Sequence, residues 1–81
     1  MARYFFHAVN GGRDRDTAGM ELPDEAAART EAIRFAGSIL ANEPAVLCGG
    51  GGFRIEATDQ TQRLLLTVIA LAIDAPLVEP E

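Results

Sequence analysis

One stretch of this chain has helical period, and the segments on either side of it do not. From Glu25 to about Ala41 the apolar residues Ala28, Ala32, Phe35, Ala36, Ile39 and Leu40 recur at steps of three and four, which lays them along one face of a helix. Ile33 falls at the edge of that stripe, while Thr30, Glu31, Arg34, Gly37 and Ser38 point away. Asp24 stands directly before it, where a carboxylate accepts bonds from the unpaired amides of a first turn, and Glu25 adds favourable charge there. Asn42 and Pro44 mark the stop. A chain with a single helix must bury that helix against strands.

The strands read from alternation. Arg3 to Val9 is rich in aromatic and branched residues and stops at Asn10-Gly11-Gly12, a strand running into a turn, with Tyr4, Phe6 and Ala8 on one side and Phe5, His7 and Val9 on the other. Arg13 to Thr17 is charged and reads as a solvated loop, and Gly19 to Leu22 as a short second strand ending at Pro23, so the two strands predict a hairpin with a long tip. Glu43 to Gly52, with Pro44 and four consecutive glycines, predicts a mobile connection. Phe53 to Thr58 alternates with period two, Asp59 to Gln62 turns, and Arg63 to about Leu71 returns with Leu64, Leu66 and Val68 on one side and Leu65, Thr67 and Ile69 on the other. The order β-β-α-β-β predicts an α+β domain, a small and mostly antiparallel sheet with one helix on one face. At 81 residues there is room for one core. The domain is expected over residues 1–73, followed by an acidic, proline-containing tail over 74–81.

Charge and composition narrow the function classes. Seven basic residues, all arginine, stand against twelve acids for a net charge of −5, which argues against phosphate-backbone binding and so against nucleic acid as a direct partner. A single cysteine, Cys48, leaves no intramolecular disulfide and fits a reducing compartment. The first ten residues lack the apolar core and cleavage site of a signal peptide. The apolar run Leu64 to Ile73 is too short to span a bilayer as a helix. The expected setting is cytoplasmic, without membrane attachment.

Arg3-Tyr4-Phe5-Phe6-His7, Asp16-Thr17-Ala18-Gly19-Met20-Glu21-Leu22-Pro23-Asp24, Ala27-Ala28-Arg29-Thr30-Glu31-Ala32 and Ile55-Glu56-Ala57-Thr58-Asp59 together resemble a family of short bacterial proteins of unknown function, abundant in rhizobia and related alpha-proteobacteria. The resemblance covers about residues 3 to 69. It implies a single bacterial domain and carries no established activity. The chain departs from that family at Cys48 and the glycine run, where the family has a polar connection and often a tryptophan, and at Thr61-Gln62, where the family commonly has a glycine. More distantly, a strand, an Asp-x-x-Gly turn, a Pro-Asp step and an alanine-rich helix are similar to small antitoxin domains of the HicB type.

No constellation points to catalysis, a cofactor or a metal. His7, the only histidine, needs a carboxylate and a pocket to act as a general base, and the sequence places neither, so it reads as a structural or interface residue. Gly49 to Gly52 is not followed by the Lys-Ser or Lys-Thr of a phosphate loop. Asp14, Asp16 and Glu21 do not have calcium-loop spacing. Arg29 projects onto the rim of the helical stripe, where it is expected to fork onto a carboxylate such as Glu25 or Asp59, or to take part in partner recognition. One helix covers one face of a sheet, so Phe5, His7, Val9, Leu65, Thr67 and Ile69 are the candidate interface on the other, and a second copy of the chain is the expected cover. The sequence therefore favours a self-associating, non-enzymatic interaction or regulatory module; an antitoxin-like or transcription-associated protein is the alternative, and a small enzyme using His7 the third reading.

Overall fold

A computed structural model describes residues 1–48 and 51–75. The elements are β1 (Ala2–Asn10), β2 (Gly12–Asp14), β3 (Met20–Leu22), α1 (Glu25–Asn42), a 3-10 turn (Pro44–Leu47), β4 (Phe53–Asp59) and β5 (Leu64–Ala70). All strand pairs are antiparallel, in the order β2-β1-β4-β5, with β3 also paired to β1 beyond β2. The protein is an α+β fold in which one helix packs against a small sheet.

α1 starts where Asp24 requires it: the Asp24 carboxylate accepts a bond from the Ala27 amide at 2.9 Å, satisfying a donor that has no partner within the helix. Its buried line is Ala28, Ala32 and Ala36, one small residue per turn, which lets the backbone approach the sheet closely. Under it lie Tyr4 and Phe6 of β1 and Phe53, Ile55 and Ala57 of β4. Phe53 and Ile55 are the largest wholly buried side chains, each contributing about 1.5–3 kcal/mol of apolar burial. Because the alanine line points at the sheet, Phe35 and Ile33 turn outward, leaving Ile39 and Leu40 half-buried. That rotation carries Arg29 into solvent, away from the rim expected for it.

The first hairpin differs from its expected form. It turns tightly about Gly11, at φ +78°, with Asn10 opposite Gly12, and the charged Gly12–Asp14 pairs with β1 rather than looping free. The surplus chain sits in the middle of the returning arm. Between the pairs Ala8↔Asp14 and Tyr4↔Met20, three residues of β1 face five on the return, a large bulge. The connection after α1 also differs from the expected mobile one at its start: Pro44 opens the 3-10 turn, and Val46 and Leu47 pack against the core. Gly49 and Gly50 of the glycine run, and the expected tail from residue 76 onward, lie outside the described residues.

Asp59 organises the β4–β5 turn. Its Oδ1 accepts bonds from the Thr61 amide and hydroxyl and from the Arg63 amide at 2.7–3.0 Å. The Thr61 hydroxyl foremost, and then the Arg63 amide, hold its carboxyl at a pKa of about 2. Gln62 completes the turn at φ +69°, a left-handed conformation that costs a side-chain-bearing residue about 1–2 kcal/mol. Gln62→Gly is accordingly expected to raise stability by about 0.5–1 kcal/mol, read as a higher urea midpoint at unchanged slope.

Candidate functional site

The bulge in the first hairpin is built around Asp16 and His7. Asp16 Oδ1 accepts the amides of Ala18 and Gly19 at 3.0 and 3.1 Å, and Oδ2 accepts the amide of Phe6 in β1 at 3.2 Å. The carboxylate thus stands in for the carbonyl partner that the bulge removes from the ladder. Burial opposes its charge, but the amides of Gly19, Phe6 and Ala18 outweigh burial and hold it below the ordinary aspartate range. The Asp-x-x-Gly spacing has a local cause, since the short side chain folds back onto amides two and three residues on.

His7 closes the other side of this buckle. Its Nδ1 accepts the Asp16 amide at 3.0 Å, which assigns the proton to Nε2, and Nε2 then donates to Thr58 Oγ1 on β4 at 3.3 Å. The ring is 6% exposed and stacks beside Phe5. Burial, and next the charge of Arg13, push its pKa below the ordinary 6.5. A second proton on Nδ1 would face the Asp16 N–H, so Nδ1 cannot serve a ligand without opening the bulge, and Nε2 is engaged by Thr58. The unfolded chain takes up that proton near pH 6.5 and the folded chain only at lower pH, so stability falls as pH drops below about 6.5. Asp16, Glu56 and Asp59, all shifted down, add a second fall below about pH 4. Urea midpoints across pH 8 to 3 are expected to show both stages, with the upper one missing in a His7→Gln variant.

The outer face of the sheet is less apolar than one-helix coverage predicts. His7 lies opposite Glu56, and Glu56 opposite Thr67. Glu56 is held by Arg13 at 2.7 Å and by Arg54 at 3.0 Å, and next to burial the Arg54 bond does most to set its lowered pKa. A polar band along β4 therefore separates Phe5 and Val9 on β1 from Thr67 and Ile69 on β5. Of the candidate interface residues, Phe5, Val9 and Thr67 are half-buried, His7 is buried, and Ile69 is 68% exposed. Leu65 is elsewhere: a register shift puts Ala57 opposite Leu66 and Thr58 opposite Leu64, and the extra residue, Leu65, packs against the core. Of the eight large apolar side chains exposed among the described residues, four, Leu64, Ile69, Leu71 and Ile73, belong to β5 or the segment after it.

The fork expected of Arg29 belongs to Arg63, which reaches Glu25 at 2.6 Å and Asp59 at 3.2 Å and so ties the last turn to the start of α1. Among the described residues Arg29 forms no ion pair. Asp14, Asp16 and Glu21 are not brought together as a cation site: Asp16 is committed to three amides, Glu21 pairs with Arg3, and Asp14 and Glu21 lie opposite distant residues of β1. Two open clefts flank the bulge. One of about 520 Å³ lies between α1 and the hairpin, lined by Phe6, Met20, Phe35 and Ile39 with Asp14 and Glu31; a smaller one of about 220 Å³ lies over His7, Arg15 and Thr58. No buried side-chain polar atom in the described residues is left without a partner. No helix among them is long and apolar enough to cross a membrane.

Residues 3–72 match a family model described as a domain of unknown function, DUF6894. No curated protein and no solved structure matches the chain.

Proposed function

Because this chain belongs to the DUF6894 family, a domain of unknown function, we propose its role from its own surface: it is a non-enzymatic interaction module that self-associates and acts on another protein through the assembly. One observation carries this. β5 is the terminal strand of the sheet, and apart from the register shift at Leu65 Leu64–Ala70 carries none of the charges or prolines that normally protect a strand edge. The opposite edge does carry them, since β2 and β3 are each three residues long, bear Arg13, Asp14 and Glu21, and are interrupted by the bulge. The commitment of His7 to Asp16 and Thr58 supports a structural role for the one histidine of the chain.

Ile69→Lys puts a charge on the exposed side of β5 without removing a core residue. Sedimentation equilibrium is expected to give the native protein a mass above the 8.6 kDa of one chain and the lysine variant that of one chain, with similar melting temperatures. A native mass of one chain at every concentration, or an assembly that the lysine leaves intact, would overturn the proposal.

A further inference from the structure

We infer that the partner on β5 is the β5 strand of a second copy, running antiparallel about a two-fold axis at Thr67, so that two sheets join into one. This names the interface of the self-association proposed above and rests on it. Every second amide and carbonyl of an edge strand points outward with no ladder partner, and among the described residues nothing pairs with the outer side of β5. Those groups are a template for another strand. The chain's own residues 76–81, Pro-Leu-Val-Glu-Pro-Glu, place two prolines in six positions and suit a ladder poorly. A second copy has no such defect. It brings uncharged residues against uncharged residues, and the uncharged run continues to Ile73, so the seam adds no direct repulsion despite a net charge of −5 on each chain.

The register follows from the pleat. Residues directly opposite in an antiparallel pair share a face, so a two-fold axis normal to the sheet must pass through a residue rather than between two. It is placed at Thr67, where Leu66–Val68 pair in the regular part of the strand, clear of the register shift at Leu65. Leu66 then lies opposite the partner's Val68 on the helix-covered face, and the two Thr67 side chains meet on the outer face, where threonine pairs are favourable. Since α1 packs over β4 and β5, the two helices come to lie on the same face of the joined sheet, with Ile33 exposed on each.

Thr67→Cys in a Cys48→Ser background tests the seam, because directly opposed residues have Cα atoms about 4.5–5.5 Å apart, within the range a disulfide spans. Under copper-phenanthroline oxidation this variant is expected to form a covalent dimer at least tenfold faster than Ile69→Cys in the same background, whose thiol lies towards the far end of the partner strand rather than opposite its own copy. Circular dichroism on both variants establishes that they are folded. If Thr67→Cys does not fold, the same comparison is made with paired spin labels at Arg63, on the exposed end of the turn, where the seam predicts a single interspin distance. Equal cross-linking rates, or a broad distance distribution, in a protein that still sediments above 8.6 kDa would overturn the β5 seam and leave self-association standing. A protein that sediments as one chain and does not cross-link would overturn both, and β5 is then covered by residues 76–81 or by a protein of different sequence.

Discussion

Gly19→Ala is expected to cost about 3 kcal/mol, enough to lower the melting temperature by roughly 12–24 °C in a domain this size. Gly19 has φ +72°, and a left-handed backbone alone costs an alanine about 1–2 kcal/mol. Space adds to that. A Cβ at this position would lie 2.8 Å from Arg3 Cγ and from Phe5 Cε1, and 2.9 Å from the Tyr4 carbonyl oxygen. Arg3 has a flexible stem and can give way; the carbonyl belongs to the central strand β1 and cannot without breaking the ladder. Gly11 supplies the internal comparison, since it also has positive φ but nothing within 4 Å of its Cβ position. Gly11→Ala should therefore show the backbone penalty alone, about half the loss. Equal losses at the two sites would mean that the bulge does not press against β1 as described.

Asp16→Ala is expected to cost about 2–4 kcal/mol, since hydrogen bonds to a charged group contribute about 1.5–3 kcal/mol and this carboxylate holds three amides. The Phe6 amide, in the half-buried interior of the hairpin, is left without a partner. Asp16→Asn should fall between, because its carbonyl still accepts from Ala18 and Gly19 while its NH₂ meets the Phe6 N–H. Both are expected to weaken the His7 arrangement, because the amide that assigns the His7 proton is that of Asp16 itself. Thermal melts give the order native, Asn, Ala. A native-like melt for Asp16→Ala would remove the buckle from the account.

The helix was legible in the sequence because its determinants are local: Asp24 bonds an amide three residues on, and the apolar spacing needs no knowledge of the sheet. β4 was legible for the same reason, and its polar half, Arg54 and Glu56, already implied a polar outer face. What obscured that inference was Arg13, whose place beside Glu56 depends on a turn at Gly11 that the charged composition of Arg13 to Thr17 disguised as a loop. Gly12–Asp14 is a strand because β1 offers it partners, with every residue exposed, so no burial pattern marks it. The fork of Arg63 joins positions 38 residues apart, and the shift at Leu65 follows from Asp59 closing the turn with Gln62 left-handed. These are tertiary facts. The buckle of His7 and Asp16 was partly visible as Asp-x-x-Gly, but its function of bridging a bulge required the register to be known.

Hydrogen exchange along β5 tests the central claim most directly, because it reads the strand edge of the unmodified protein amide by amide. Joined at β5, the protein should protect successive amides from Leu65 to Ile69 at high concentration, and on dilution every second one should lose protection while those bonded to β4 keep it. Alternating protection that is the same at all concentrations would contradict the claim, since it would show an edge that no second copy covers.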